Sequence, residues 1–325
     1  MSDAVGIGML GVRHPHAGGK LAALQGSPAW RVVGACEPDE GVRSEAQESP
    51  AFAGLVWMTQ KELLARSDIA VVAIEGEPVE NLARAEAALD AGKHVHLEKP
   101  AGVDAVGIER LVGQARDAGL LLQLGYMFRY NPAFIFAFGA RESGWLGDVH
   151  SVRGRMSTSI SEDKREELAR YPGGMMYELG CHLLDGVVRL LGAPTDVHAY
   201  LRHDGISDDA LADNTLAVFE FESAVATLEV TAMDVGPFPR RRLEVYGTAG
   251  SIVIEPLEPP RVLACFDSPP DGHPEGWHEV DVPAYQRYAD DFEELASCVR
   301  SGDALSYNGE HDIAVQRALM RACGR

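Results

Sequence analysis

Hydrophobic runs alternate with helical patterns along the first third of the chain. Short apolar runs typical of buried parallel strands cover residues 5–10, 30–36, 69–74, 94–97 and 120–125. Helical periodicity covers residues 16–24, 80–91 and 106–118. Glycines at 92 and 119 follow the last two helical segments and are typical helix ends. Strict alternation of strand and helix predicts parallel βαβ units and a doubly wound sheet.

The pattern changes after Gly125. Strand-like stretches at 215–221, 225–230 and 242–246 follow one another without helical segments between them, which predicts a mainly antiparallel sheet. We therefore predict an α/β domain of the Rossmann type at residues 1–124. An α+β domain with a large, mainly antiparallel sheet is predicted at residues 125–325. The proline-rich residues 256–283 are predicted to be an irregular surface excursion.

Composition narrows the possible partners and location. A chain of 325 residues with 46% hydrophobic and 24% charged residues is typical of a soluble globular protein of two domains. A net charge of −20 makes nucleic acid and anionic membranes poor partners. No apolar run approaches the roughly 20 residues of a membrane helix. The five cysteines are scattered and form no Cys-x-x-Cys pair, which favours reduced thiols and a cytoplasmic location.

A glycine pattern near the amino terminus is misleading. The first strand spells G-x-G-x-x-G, but Gly6 and Gly8 fall inside the strand, whereas phosphate-binding glycines belong in the turn that follows. Gly11 is correctly placed for the first of those glycines. Arg13 and His16 then occupy the second and third positions. Arg13 could hold a phosphate through its side chain; the alternative is a plain strand-to-helix turn.

Glu37 ends the second predicted strand. A carboxylate at this position accepts hydrogen bonds from ribose hydroxyls and repels a 2′-phosphate. It therefore favours NAD over NADP as the cofactor. A solvated acid before Pro38 is the alternative interpretation.

Several motifs together resemble one family. The run AALDAGKHVHLEKP at residues 87–100 strongly resembles the Gfo/Idh/MocA oxidoreductases, the group of glucose-fructose oxidoreductase and inositol dehydrogenase. Residues 125–132, 147–149 and 246–251 are also similar to family segments, so the resemblance covers essentially the whole chain. The run GGMMYELGCHLLD at residues 173–185 resembles the family's catalytic motif GG-x-x-x-D-x-G-x-H-x-x-D.

This resemblance implies an NAD(P)-dependent dehydrogenase acting on a secondary alcohol of a sugar, cyclitol or related polyol. It implies a substrate held between the two domains, and a second domain that also supports a homodimer or homotetramer. Lys99 would hydrogen-bond the reacting hydroxyl and stabilise developing negative charge, with Glu98 beside it on the cofactor side. His182 would be the base and Glu178 its carboxylate partner.

Helical spacing supports the second motif independently. Glu178, His182 and Asp185 stand at i, i+4 and i+7, so a regular helix would place them on one face as an acid/base relay. The family usually has aspartate at the position of Glu178. Glu178 and His182 could be two metal ligands, but no third ligand is evident, so no metal site is predicted. The predicted substrate contacts are Arg129, Tyr130, Asn131 and Asp185.

Two other functions remain open. A tightly bound NAD could drive an oxidation-assisted elimination or hydrolysis of a glycoside, without net reduction of the cofactor. Alternatively, the fold could serve as a non-catalytic sugar or nucleotide sensor. The altered glycine turn favours the sensor, whereas the retained Lys99, Glu178 and His182 favour an enzyme.

Overall fold

The computed structural model describes residues 4–325, which divide into two compact units. The first unit comprises the residues up to Met127 together with Gln286–Ile313, and the second comprises Phe128–Tyr285 together with Ala314–Arg325.

The first unit is a five-stranded parallel sheet flanked by helices, with strand order β2-β1-β3-β4-β5. Its strands are β1 (Val5–Leu10), β2 (Trp30–Cys36), β3 (Val71–Ile74), β4 (His94–Leu97) and β5 (Leu122–Leu124). Its helices are α1 (Ala17–Gly26), α2 (Glu40–Glu48), α3 (Gln60–Ala65), α4 (Pro78–Asp90) and α5 (Ala105–Ala118). Every residue of β1 and β3 is buried, which explains their unbroken apolar sequence.

The second unit is built on an eight-stranded sheet in the order β13-β12-β11-β10-β6-β9-β8-β7. Its strands are β6 (Val149–Arg155), β7 (Asp196–Arg202), β8 (Asn214–Glu220), β9 (Val225–Thr231), β10 (Arg242–Gly247), β11 (Gly250–Leu257), β12 (Pro260–Phe266) and β13 (His278–Val280). Its helices are α6 (Pro132–Glu142), α7 (Glu162–Leu168) and α8 (Cys181–Leu191). Only the β6–β9 pair is parallel among the described strand pairs of this sheet.

Helices α9 (Ala289–Ser301) and α10 (Gly309–Ala322) follow β13 along the chain. Residues 286–313 were expected in the second domain, but they belong to the first unit. The reason is packing by α9 against the parallel sheet. The Trp30 indole N–H donates to the Phe292 carbonyl at 3.1 Å, and the Gln123 amide donates to the Asp291 carbonyl at 3.1 Å.

The predicted fold class is confirmed: an α/β unit with a doubly wound parallel sheet precedes a unit on a large, mainly antiparallel sheet. The prediction of an irregular excursion at residues 256–283 is wrong for residues 260–266 and 278–280, where β12 and β13 extend the sheet, whereas residues 267–277 are irregular. Alternating Val262, Ala264 and Phe266 are buried on one face of β12. Pro260 is tolerated because it is the first residue of its strand.

Within residues 4–325, none of the helices combines the length and the apolar character that crossing a membrane requires.

Gly6 offers a test of the packing beneath β1. A Cβ at Gly6 would lie 1.8 Å from the Asp68 carbonyl oxygen, so the backbone itself must move to admit alanine. We expect Gly6→Ala to lower the free energy of unfolding by about 1–3 kcal/mol, measured by urea denaturation. Gly113 is the matched control: it lies inside α5, and a Cβ there would meet no atom within 4 Å apart from the helix's own backbone. Gly113→Ala should be neutral or stabilising by up to about 1 kcal/mol. Equal stability of the two variants would contradict this account.

Candidate active site

The turn after β1 is built around Gly11. Gly11 has a left-handed φ of 87°, and a Cβ there would lie 2.8 Å from the Gly76 nitrogen and 2.7 Å from Nη1 of Arg84. Both the dihedral angle and the close approach exclude a side chain. Gly6 and Gly8 lie inside β1, as the sequence predicted. Gly11 therefore forms the tight turn that the first glycine of a dinucleotide-binding loop provides.

Glu37 and Arg13 flank this turn in different ways. Glu37 is 2% exposed, and its carboxylate accepts hydrogen bonds from the backbone N–H groups of Val12 at 2.8 Å and Asp39 at 3.1 Å. The Arg13 side chain is 41% exposed, and its guanidinium lies 2.9 Å from Asp39 and 3.3 Å from Glu77. The buried carboxylate therefore fixes the backbone of the turn, whereas the guanidinium faces solvent, where a phosphate can reach it.

Two histidines converge on Glu98, the residue after β4. Glu98 Oε1 lies 3.1 Å from Nδ1 of His16 and 3.7 Å from Nδ1 of His14. The two imidazole rings meet edge to face with centroids 4.5 Å apart. The His16 backbone N–H donates to Nδ1 of His14 at 3.2 Å, which leaves the proton of a neutral His14 on Nε2. Burial lowers the pKa of His14 well below its usual value, so the neutral form dominates at pH 7.

A lysine holds the other oxygen of the same carboxylate. The Lys20 ammonium donates to Glu98 Oε2 and, at 2.8 Å, to Glu75 Oε1, and all three side chains are at most 1% exposed. Burial acts to lower the pKa of Lys20, but the two carboxylates outweigh it and raise that pKa. Burial also acts to raise the pKa of Glu98, but the positive groups around it hold that pKa well below its usual value. We call Lys20, Glu75 and Glu98 the buried ion cluster.

Helix α9 and the residue before it cover this cluster. His96 is fully buried, with Nδ1 3.7 Å from Glu75 and Nε2 3.7 Å from Asp291. Its ring packs against Phe292 with centroids 4.6 Å apart. Tyr288 lies over the Lys20 ammonium, 5.8 Å from the ring centre, and burial raises the pKa of the Tyr288 hydroxyl to about 12. The cluster is therefore enclosed by side chains that keep bulk water out.

Lys99 follows Glu98 at the carboxyl end of β4 and is 1% exposed. The peptide bond between Lys99 and Pro100 is cis. Ligands of open α/β sheets bind beyond the carboxyl ends of the strands. The first unit therefore brings Lys99 and Glu98 to the sheet edge where the Gly11 turn also lies.

In the second unit, the predicted catalytic motif is not one regular helix. Met176–Gly180 form a π-helical turn, and α8 begins only at Cys181. Glu178 therefore lies in the π-helical turn, whereas His182 and Asp185 lie in α8, so the regular helical spacing assumed for the three residues does not extend across this junction. Such π turns occur frequently at functional sites. His182 is 2% exposed, with its ring 5.8 Å from that of Phe128, whereas Glu178 is partly exposed.

The predicted substrate contacts lie in several environments. Asp185 accepts hydrogen bonds from Nε and Nη2 of Arg129 at 2.7–3.1 Å, and both side chains are at most 3% exposed. Asn131 is fully buried; it caps α6 through the Ala133 N–H and donates to the Leu257 carbonyl at 3.1 Å. These contacts give Arg129, Asp185 and Asn131 structural roles within the second unit. Tyr130 ends a short 3₁₀ turn and is partly exposed.

Sequence reasoning missed the residues that surround Glu98. His14, Lys20, Glu75 and His96 were not singled out, although one signal was available for Lys20. Ala17, Leu21 and Leu24 form the buried face of α1, and Lys20 falls on that apolar face. A lysine there requires a buried acid as its partner. His14 and His96 carried no such signal, because their partners come from distant parts of the chain.

Comparison with known proteins assigns both units to one family. Residues 5–126 match a model described as an oxidoreductase family, NAD-binding Rossmann fold, and residues 139–253 match a GFO/IDH/MocA C-terminal domain. A solved structure from Desulfitobacterium hafniense DCB-2, named as a candidate NADPH-dependent oxidoreductase, aligns with a TM-score of 0.86 at 20% identity. That alignment covers 100% of this chain and 96% of the other, and it shows the shared fold.

Two curated relatives are named for reactions on sugars or cyclitols. The dTDP-3,4-didehydro-2,6-dideoxy-alpha-D-glucose 3-reductase of Streptomyces violaceoruber is 29% identical over 73% of this chain and 69% of the reductase. The scyllo-inositol 2-dehydrogenase (NAD(+)) of Bacillus subtilis is 27% identical over 66% of this chain and 63% of the dehydrogenase. Several other relatives are matched over only about half of their length.

The buried ion cluster can be tested through Lys20. Lys20→Met leaves Glu75 and Glu98 buried without their cation, and we expect a loss of about 3–5 kcal/mol in the free energy of unfolding at pH 7. The pKa of Glu98 is depressed in the folded protein, so its stabilisation is present above its unfolded value near 4.5 and is lost as the pH falls. The deficit of the variant should therefore shrink as the pH falls below that value, toward the lower pKa of Glu98 in the folded protein.

Two controls accompany this measurement. Lys20→Met with Glu75→Gln removes one uncompensated charge and should recover part of the loss. Lys164→Met breaks the partly exposed pair with Glu167, and should cost less than about 1 kcal/mol. A Lys20→Met variant no less stable than Lys164→Met would contradict a charged buried cluster.

Proposed function

We propose that this chain, which belongs to the Gfo/Idh/MocA family of oxidoreductases, transfers a hydride between NAD and a secondary hydroxyl of a sugar, cyclitol or related polyol. One observation carries the proposal: Lys99 is buried beside an ionised Glu98 at the carboxyl end of β4, where ligands of such sheets bind. Burying an ammonium is costly, and a role in catalysis accounts for its position.

The residues of the first unit fit a dinucleotide. Gly11 supplies the tight turn, Arg13 offers a solvent-facing guanidinium to the pyrophosphate, and His16 stands at the N-cap of α1. Glu37 and the exposed Asp39 put two carboxylates at the end of β2, where a 2′-phosphate would be repelled. This charge favours NAD over NADP. When bound, the nicotinamide supplies the hydride acceptor or donor.

Lys99 is proposed to orient the reacting hydroxyl. Its ammonium donates a hydrogen bond to the substrate oxygen, so that negative charge developing on this oxygen during oxidation is stabilised. Glu98, held by Lys20, is proposed to fix the backbone and side-chain position from which Lys99 reaches the substrate.

His182 is proposed as the base that takes the hydroxyl proton. An imidazole is suited to this task because its pKa lies near neutrality in water. Glu178 is proposed to accept a hydrogen bond from this imidazole and to stabilise its protonated form.

The substrate class follows from the family and its relatives. One relative is named for a deoxysugar nucleotide and another for an inositol, and both names place the reaction at a ring carbon bearing oxygen. A ring hydroxyl of a sugar or cyclitol is therefore the proposed reacting group, with free cyclitols and nucleotide sugars as the two arms of a substrate panel.

The cofactor proposal is tested by fluorescence titration. We expect NADH to bind at least about tenfold more tightly than NADPH, because the acidic end of β2 repels the additional phosphate. Asp39→Ser should narrow this difference, and exposed Glu48→Ser on α2 serves as a matched control. A folded protein that binds neither cofactor would refute the enzyme proposal and favour a sensor on the same fold.

The catalytic proposal is tested through Lys99. We expect Lys99→Met to reduce turnover by about 10²–10⁴-fold in a panel of cyclitols and nucleotide sugars followed at the NADH absorbance. NADH affinity and the thermal midpoint should change little, while exposed Lys61→Met should retain full turnover. Retained activity in Lys99→Met would remove Lys99 from the mechanism. Substrate cleavage without accumulation of NADH would instead indicate oxidation-assisted elimination.

A further inference from the structure

The pair of histidines at Glu98 has no role in the hydride transfer described above, except that His16 borders the proposed phosphate site. Nδ1 of His16 and Nδ1 of His14 lie 3.1 and 3.7 Å from the same oxygen, Glu98 Oε1. Within residues 4–325, His14, His16 and Glu98 form the only group of three His, Cys, Asp or Glu side chains whose ligand atoms all lie within 4.8 Å of one another.

These separations match the edges of a metal-coordination polyhedron. A tetrahedral zinc ion with ligand bonds of about 2.0–2.1 Å has its ligand atoms about 3.3 Å apart. The two histidine–carboxylate distances, 3.1 and 3.7 Å, bracket that value. The ligand atoms of all three side chains lie within 4.8 Å of one another, and an ion between them requires His14 Nδ1 to exchange the hydrogen bond from the His16 backbone N–H for the metal.

The surroundings keep the Glu98 carboxylate in place, with one oxygen bound by Lys20 and the other in contact with His16. The Lys20 ammonium donates to Glu98 Oε2 and also to Glu75. Because Oε2 is held in this way, Oε1 of Glu98 faces the two histidines. Fixing a ligating carboxylate through its second oxygen is a common outer-shell feature of metal sites. The side chains of His14 and His16 are 11% and 17% exposed, which provides access from solvent.

We propose that His14, His16 and Glu98 bind a divalent transition-metal ion of the zinc type, and that this ion competes with the dinucleotide. Two imidazoles and one carboxylate suit zinc-like ions, whereas Mg²⁺ and Ca²⁺ require a shell of oxygen atoms. Competition follows because His16 occupies the position of the third glycine of a dinucleotide-binding loop. The competition rests on the proposed function; the metal site does not.

The metal site is tested by equilibrium dialysis of the full chain against Zn²⁺, with Mg²⁺ in parallel. We expect one Zn²⁺ per chain and no Mg²⁺. His14→Gln and His16→Gln should each weaken Zn²⁺ binding by at least about tenfold, since even outer-shell changes cost about 10–100-fold. His198→Gln is the matched control: its imidazole lies 3.1 Å from Glu220 and 3.6 Å from Asp196 on the exposed face of β7, and it should leave binding unchanged.

Circular dichroism of each variant separates a lost ligand from a lost fold. Absence of stoichiometric Zn²⁺, or equal affinity of the wild-type chain and a folded His14→Gln variant, would overturn the site.

Competition is tested by NADH titration of chelator-treated protein with and without Zn²⁺. We expect the apparent Kd for NADH to rise in proportion to free Zn²⁺, and the rise to be absent in His14→Gln. If Zn²⁺ binds at the histidines without changing the Kd for NADH, the competition is refuted while the site stands. Failure of metal-free protein to bind NADH refutes the proposed function instead, and the dialysis result remains an independent readout.

Discussion

Burial of three charged side chains under the carboxyl edge of the parallel sheet is the constraint on which the first unit depends. Lys20, Glu75 and Glu98 are each at most 1% exposed, and an isolated charge in such a place would be very costly. They are tolerated because the ammonium meets both carboxylates directly. These buried ion pairs connect helix α1 with the end of β3 and the end of β4, at a place that water does not reach.

The positions of the candidate functional residues depend on this cluster. Glu98 is bound on one oxygen by Lys20 and approached on the other by His14 and His16, so its orientation is fixed. Lys99 is the next residue along the backbone. At the same edge, Gly11 and the buried carboxylate of Glu37 shape the turn between β1 and α1. A site on a rigid sheet edge is held more precisely than one on a loop.

The second unit also contains buried charges, some of which are neutralised by an arginine–aspartate pair. Among its buried charges, Arg129 and Asp185 neutralise one another through paired hydrogen bonds. That pairing gives Asp185 a structural role close in sequence to His182. The π-helical turn before α8 then sets Glu178 apart from the regular helical spacing. Glu178 is partly exposed, and His182 is buried.

The sequence by itself determined the fold class and the marker residues, since periodicity is a local property and the Glu98-Lys99-Pro100 run is contiguous. Gly11 was also identified from the sequence, because its place after an apolar strand is visible in a few residues. Tertiary structure alone decided which partners Glu98 has, because His14, His16 and Lys20 reach it from the turn and helix after β1, far away in the chain. It also decided that Asp185 pairs with Arg129, that β12 continues the sheet, and that α9 belongs to the first unit. In each case the deciding contact joins residues far apart in the chain, and periodicity carries no information about such contacts.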